Sequence, residues 1–173
     1  QHAGMSNEIA NKLFDDIEYF ARYAFNRAHA ANYAALTCQT AYLKAHFPLE
    51  YQWAMFNNDA GDFEKIPLLA TEARRAGIQV LPPDVSASDA GFTIEYDQRA
   101  IRYGLGAIKN VGASAAREIV DARRQGGTFA SLDDFCQRVS LKQINRRALE
   151  CLIEAGALDA LGELHDVRFE ARA

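Results

Sequence analysis

At 173 residues, 49% hydrophobic and 24% charged, the chain is large enough to bury a real core as one or two domains. No apolar run approaches the roughly 20 residues of a membrane helix and no secretory signal opens the sequence, so a soluble, cytoplasmic protein without membrane contact is expected. The formal net charge of −4 argues against a nucleic-acid binder taken whole, but its distribution does not: the window 99–150 carries +5 and the remainder −9. A basic module inside an acidic chain is the pattern of a face that meets phosphate; a solvated charged surface is the plain alternative. Cys38, Cys136 and Cys151 lack CxxC spacing, which points away from a disulfide framework or zinc site and towards reduced, buried thiols.

In chain order, Ser6 or Asn7 caps a helix whose stripe Ile9, Leu13, Phe14, Ile17 and Phe20 is expected to face a core. Asp15, Asp16 and Glu18 fall on its solvated side and are not read as metal ligands. A break near Asn26 precedes a second helical pattern from Ala30 through Leu43. Arg27, His29 and Lys44 would then present cations at the mouth of a helix pair, suited to a polyphosphate, with aromatic rings nearby for a base. On spacing alone, a packing joint with a capping Asn26 and a satisfied His29 is the stronger reading. Pro48 starts a third helix, Leu49–Phe56, with Tyr51, Trp53, Met55 and Phe56 as core. A fourth lies within Asp62–Ala76, starting late or kinking at Pro67 and closed by Gly77. Ile78–Leu81 is β-prone and stopped by Pro82 and Pro83. Phe92–Tyr96 and Ala100–Tyr103 alternate with period two and form a β-hairpin.

The next stretch organises the rest: Leu105–Ile108 as a short turn, then Lys109-Asn110-Val111-Gly112, then an alanine-rich helix Ala113–Gln125 stopped by Gly126 and Gly127. A helix, a tight glycine turn and a helix aim free N–H groups and a positive dipole end outwards, which suits phosphate. Lys109, Arg117, Arg123 and Arg124 surround it with mobile charge; an ordinary helical hairpin is the equal alternative here. Ser131 and Asp134 form a capping box for Leu132–Val139. Residues 141–145 make a second tight connection before a helix Arg146–Ala155, stopped by Gly156. Two such units about thirty residues apart strengthen the backbone-grip reading, with Lys109, Asn110, Gly112 and Arg117 in the first, and Lys142, Asn145 and Arg146 in the second. The chain is thus mainly α with a small β-hairpin.

Several ordered blocks, from about Gly4 to Gly162, resemble a known family: FARYAFNRAHAANYA with CQTAYLKAHFPLEY, GIQVLPPDV, RYGLGAIKNVG, FASLDDFCQRV and INRRALECLIEAGALDALG. They are similar to the C-family DNA polymerases, the catalytic α subunits of bacterial polymerase III. The resemblance implies a fingers segment (1–80), a β connector (81–103), a tandem helix–hairpin–helix module (104–162) and the start of a further segment (163–173). It implies that Asn26, Arg27 and His29 contact the incoming dNTP. The family usually has Lys-Ser-His in that block; here it is Arg27-Ala28-His29, where Arg can still clamp a phosphate and Ala28 lacks the hydroxyl. Asn110 stands where the hairpin motif prefers Gly, and Asn tolerates a left-handed backbone. The error-prone paralogue carries a Pro-Glu-Ser-His type block instead, so the chain looks replicative.

The resemblance also implies a parent that is a DNA-directed DNA polymerase, with Mg2+ held by palm aspartates. No matching aspartate motif is present, so no catalytic or metal residue is carried over, no cofactor is expected in this segment, and the segment alone is expected to be inactive. Its implied partners are duplex DNA, dNTP, the other domains of the α subunit and, through the parent, the sliding clamp and replisome subunits. A non-enzymatic helix–hairpin–helix adaptor explains residues 104–156 but leaves 19–51 without purpose; a purely structural scaffold is the third reading.

Overall fold

The computed structural model describes residues 4–23, 27–140 and 144–162. Among them are seven α-helices and one three-stranded sheet, so the chain is mainly helical with a small β element. It divides into two compact units, Gln1–His46 and Phe47–Ala173.

The first unit contains α1 (Asn7–Tyr23) and α2 (Arg27–His46). Ser6 Oγ accepts from the Ile9 N–H at 3.4 Å, in the capping position its sequence announced. The expected apolar stripe is present, but it is not buried: Ile9, Leu13, Phe14, Ile17 and Phe20 are 45–72% exposed. Nor is any described residue of α2 buried. Periodicity defines which face of a helix is apolar, and a covering surface has to be supplied from elsewhere. α2 begins at Arg27 rather than Ala30, which draws Arg27 and His29 into its first turn. Cys38, expected to be buried, lies exposed on this helix; Cys136 is half-buried and only Cys151 is buried, and all three are free thiols.

The second unit has two apolar cores. The first is built by α3 (Pro48–Asn58), α4 (Lys65–Arg75) and the sheet. Pro48 opens α3 with its preset φ and no N–H to lose. Pro67 is the third residue of α4, so the helix starts late and has no kink to make. Phe56 is fully buried and stacks on Phe92 at 4.9 Å between ring centroids, and Phe92 meets Tyr103 at 4.8 Å. Trp53 is not core, as its spacing had implied: it is 38% exposed, with its indole N–H donated to Phe92 O at 2.7 Å. Gln52 is buried instead, its amide donating to Leu69 O at 2.8 Å, which removes the penalty of burying a polar group.

The hairpin read from the alternation is β2 (Thr93–Glu95) and β3 (Ala100–Arg102), antiparallel, joined by a 3-10 turn at Tyr96–Gln98. The structure adds β1 (Gln79–Leu81), paired parallel to β3 with Val80 opposite Ile101. β3 is therefore the central strand, and both Ala100 and Ile101 are fully buried. Between β1 and β2 the chain folds back on itself: Ser88 Oγ donates to Tyr103 O, and the N–H groups of Leu105 and Gly106 donate to Asp89 O and Ala90 O. The two backbones run so close that a Cβ on Gly104 would lie 2.4 Å from the Gly91 carbonyl carbon, so only glycine fits there.

The second core belongs to α5 (Ala113–Gly126), α6 (Leu132–Arg138) and α7 (Arg146–Glu154). Val111, Ala116, Ile119, Phe135, Ile144 and Leu152 are buried together in it. Ser131 Oγ accepts from the Asp134 N–H at 3.1 Å, while Asp134 reaches back to the N–H of Ala130 at 3.0 Å, one residue earlier than the expected reciprocal partner. Tyr103 packs against both cores. Compactness thus divides the chain at His46, whereas the segments read from sequence change at 80 and 103.

Candidate nucleic-acid interface

The first hairpin is built on a 3-10 turn at Leu105–Ala107, with a β-turn behind it. Ile108 O accepts from the Val111 N–H at 3.0 Å, and Asn110, third residue of that turn, has φ 65°. The left-handed position belongs to Asn110, as the sequence comparison with the hairpin motif anticipated. Gly112 itself has an ordinary backbone: its φ is −71°, and a Cβ there would meet only Ser114 Oγ, at 4.0 Å. It is the N-cap of α5, unstrained, and what it contributes is the lack of a side chain. No side chain caps the helix. The N–H groups of Asn110, Gly112, Ala113 and Ser114 donate to no described residue. They open on the positive end of a 14-residue helix.

The charge around this turn is narrower than the sequence suggests. Lys109 and Arg117 are exposed and make no ion pair with any described residue. Arg123 is spent on structure, donating to Val85 O at 2.9 Å and Ser88 O at 2.7 Å; burial lowers its pKa, with the Asp89 carboxylate working against that. Arg124 pairs with Asp89 at 3.2 Å. Arg138 staples the end of α5, reaching Ala122 O and Gly127 O at 2.8 and 2.7 Å, with Asp134 at 2.9 Å and the Phe129 ring under its guanidinium.

The second hairpin is closed by Ile144 N–H on Ser140 O at 3.2 Å; Lys142 lies outside the described residues. Here the cap is internal. Asn145 Oδ1 accepts from the Ala148 N–H at 2.8 Å, so this candidate contact serves first as the N-cap of α7. Arg146 and Arg147 reach Glu150 at 2.8 and 3.4 Å, while Arg146 remains 92% exposed. The hydrogen bond from Arg146 is the main reason the Glu150 carboxyl sits below its ordinary pKa, partial desolvation opposing it and the Arg146 charge and Arg147 adding to it.

Two contacts that sequence reasoning missed tie the hairpins together. Asn110 Nδ2 donates to Cys151 Sγ of α7 at 3.3 Å, and Glu118 Oε1 of α5 accepts from the Ser140 N–H at 3.1 Å. An open groove of about 600 Å³ lies beside the first of these contacts, with Lys109 and Asn110 on its wall from one hairpin and Arg147 and Cys151 from the other.

The candidate nucleotide residues are in the other unit. Asn26 lies outside the described residues. Arg27 and His29 are two apart on α2, so they leave the helix on different faces. His29 leans on Tyr33, ring centroids 4.3 Å apart. Lys44 sits seventeen residues beyond Arg27 on the same helix, roughly 25 Å along its axis, too far for the shared mouth expected of them. Among the described residues, no group of three or more His, Cys, Asp or Glu side chains is disposed to hold a metal ion, and no helix is long and apolar enough to cross a membrane.

A family model described as the helix–hairpin–helix motif matches residues 77–166. Among curated proteins, the chain is similar to DNA polymerase III subunit alpha of Thermus aquaticus, 48% identical over 92% of this chain and 13% of that protein. The subunit of the same name from Vibrio cholerae is 45% identical over 92% of this chain and 14% of its own length. That of Pseudomonas aeruginosa is 44% identical over 94% of this chain, again 14% of its own length. The chain therefore spans about one seventh of the relatives it matches.

Proposed function

The chain belongs to the helix–hairpin–helix motif family, and on that footing we propose that it is the part of a replicative DNA polymerase α subunit that holds duplex DNA by its backbone. The observation that carries this reading is the first hairpin: four backbone donors with no acceptor among the described residues, at the positive end of α5, with two exposed cations, Lys109 and Arg117, that pair with no described residue. A phosphate oxygen is the acceptor that such a site lacks. Arg146 and Arg147 of the second hairpin extend the grip along the strand. All these groups recognise charge and phosphate geometry, so the module positions DNA and leaves sequence to base pairing.

In this reading, the first unit is part of the fingers, and the contacts to an incoming dNTP come from Asn26, Arg27 and His29, Arg27 to the triphosphate and His29 from another face of the start of α2. Nucleotidyl transfer, its Mg2+ ions and their carboxylates belong to other parts of the parent, as do attachments to a sliding clamp and replisome subunits. The described carboxylates do not assemble a metal site, and no chemical step is assigned to them. The segment alone is expected to be catalytically inactive and its parent cytoplasmic.

The test is a salt titration of duplex DNA binding. Three to four phosphate contacts give a log–log slope of about −3. Lys109→Glu is expected to reduce the slope by about one or more and to weaken binding roughly tenfold at 0.1 M salt. An unchanged slope and affinity in that variant remove the first hairpin from the interface.

A further inference from the structure

Nothing in the turn itself requires Asn110. Its φ of 65° is a conformation that glycine adopts freely and an L-residue adopts at some cost. The side chain must therefore do something that glycine cannot, and its one polar contact among the described residues is the donation to Cys151 Sγ, 3.3 Å away on α7. That contact spans 41 positions of sequence and joins the loop of one hairpin to the second helix of the other. Cys151 is buried in the core the two hairpins share, a cluster that also holds Ile108, Val111, Ile144 and Ala148. The Glu118–Ser140 bond is a second tie between the pair. The two ties join the hairpin that carries Lys109 and the open start of α5 to the hairpin that carries Arg146 and Arg147.

We propose that Asn110 is a positioning residue for the DNA grip: through its amide–thiol bond to Cys151 it fixes the register between the two hairpins, so that both meet one duplex backbone together. This rests on the backbone-grip reading above and concerns how the two halves of that grip are coupled. Two binding elements held at the right separation bind far better than the same elements loosely joined, because the second contact becomes intramolecular. The prediction separates a positioning role from a contact. Loss of a phosphate contact makes the salt slope shallower, whereas loss of register leaves the number of contacts unchanged and lowers affinity at every salt concentration.

The experiment measures duplex affinity of the 173-residue chain across a salt series, beside Asn110→Gly, Cys151→Ala, Cys151→Ser and the double variant Asn110→Gly/Cys151→Ala. Asn110→Gly keeps the turn and removes the amide. Its affinity is expected to fall about fivefold with the slope intact, as befits a single weak coupling between contacting groups. Cys151→Ala should fall by the same factor, Cys151→Ser should stay near the parent because its hydroxyl accepts the same bond, and the double variant should be no worse than either single one. Circular dichroism of each variant accompanies the titration. The proposal is overturned if Asn110→Gly binds like the parent, if it loses slope as Lys109→Glu does, or if the two single losses add. Should the parent itself lack salt-dependent binding, or Lys109→Glu bind as the parent does, the backbone-grip reading is what fails and this inference goes with it.

Discussion

The two hairpins share a motif and a core but satisfy their second helices in opposite ways. α7 is complete within the chain: Asn145 caps its first turn and Glu150 gathers Arg146 and Arg147. α5 is not, because Gly112 offers its first turn no acceptor and Lys109 and Arg117 have no described counter-ion. A helix N-terminus that is left open in a folded protein is stabilised by whatever anion arrives, and one that is capped internally is stabilised before anything arrives. In the proposed reading, the same supersecondary unit offers an open helix start to phosphate in one copy and a helix start closed by its own cap in the other.

Closing the open end is the strongest way to break that contrast. Gly112→Asp adds an N-cap carboxylate in open space. It should raise folding stability by about 0.5 kcal/mol while weakening duplex binding roughly tenfold at 0.1 M salt, since the carboxylate occupies the donors and repels phosphate. A variant that gains stability and still binds as the parent does would move the phosphate site away from α5. Opening the closed end is the converse. Asn145→Ala should lower stability by about 1 kcal/mol, seen as a fall of roughly 2–4 °C in Tm, with duplex affinity reduced by less than about threefold because the side chain is committed to Ala148. A large loss of affinity at unchanged Tm would make Asn145 a direct contact and erase the distinction between the hairpins.

The smallest effect is expected at Glu150. Glu150→Gln releases Arg146 and Arg147 and should improve duplex affinity about twofold at low salt, with no gain at high salt where exposed charges are screened. The acid side gives a second readout. The bonds and charge of Arg146 and Arg147 hold the folded-state pKa of Glu150 below its ordinary value of 4.5, so its contribution is present above that value and is lost as pH falls through the lower folded one. The parent should lose this small increment in acid denaturation below pH 4.5, and the variant should have none to lose. Identical acid transitions would mean that the ion pairs do not hold in solution.

How much of this was legible beforehand depends on the range of the interaction. Ser6, Ser131, Pro48 and the left-handed Asn110 were readable because caps and turns involve neighbours within about four residues. The fates of the arginines were not. Arg117, Arg123 and Arg138 look alike in a basic helical stretch, yet one pairs with no described residue, one is bound to loop carbonyls 35 and 38 residues away, and one staples a helix end. Gly112 was read as the glycine of a tight turn, because a glycine beside a hairpin loop has the same letter whether it sits in the turn or leaves an empty cap.

The sequence by itself determined the helical class, the order and most boundaries of the elements, the two hairpins and the excess of positive charge over them, because each follows from local periodicity, capping and composition. Tertiary structure decided the rest. It added a parallel strand to the hairpin sheet, left the α1 stripe exposed, withdrew Arg123 and Arg138 from the surface charge, and linked Asn110 to Cys151. Those outcomes depend on which distant groups the fold brings within hydrogen-bonding distance, and no local pattern in the chain encodes that choice.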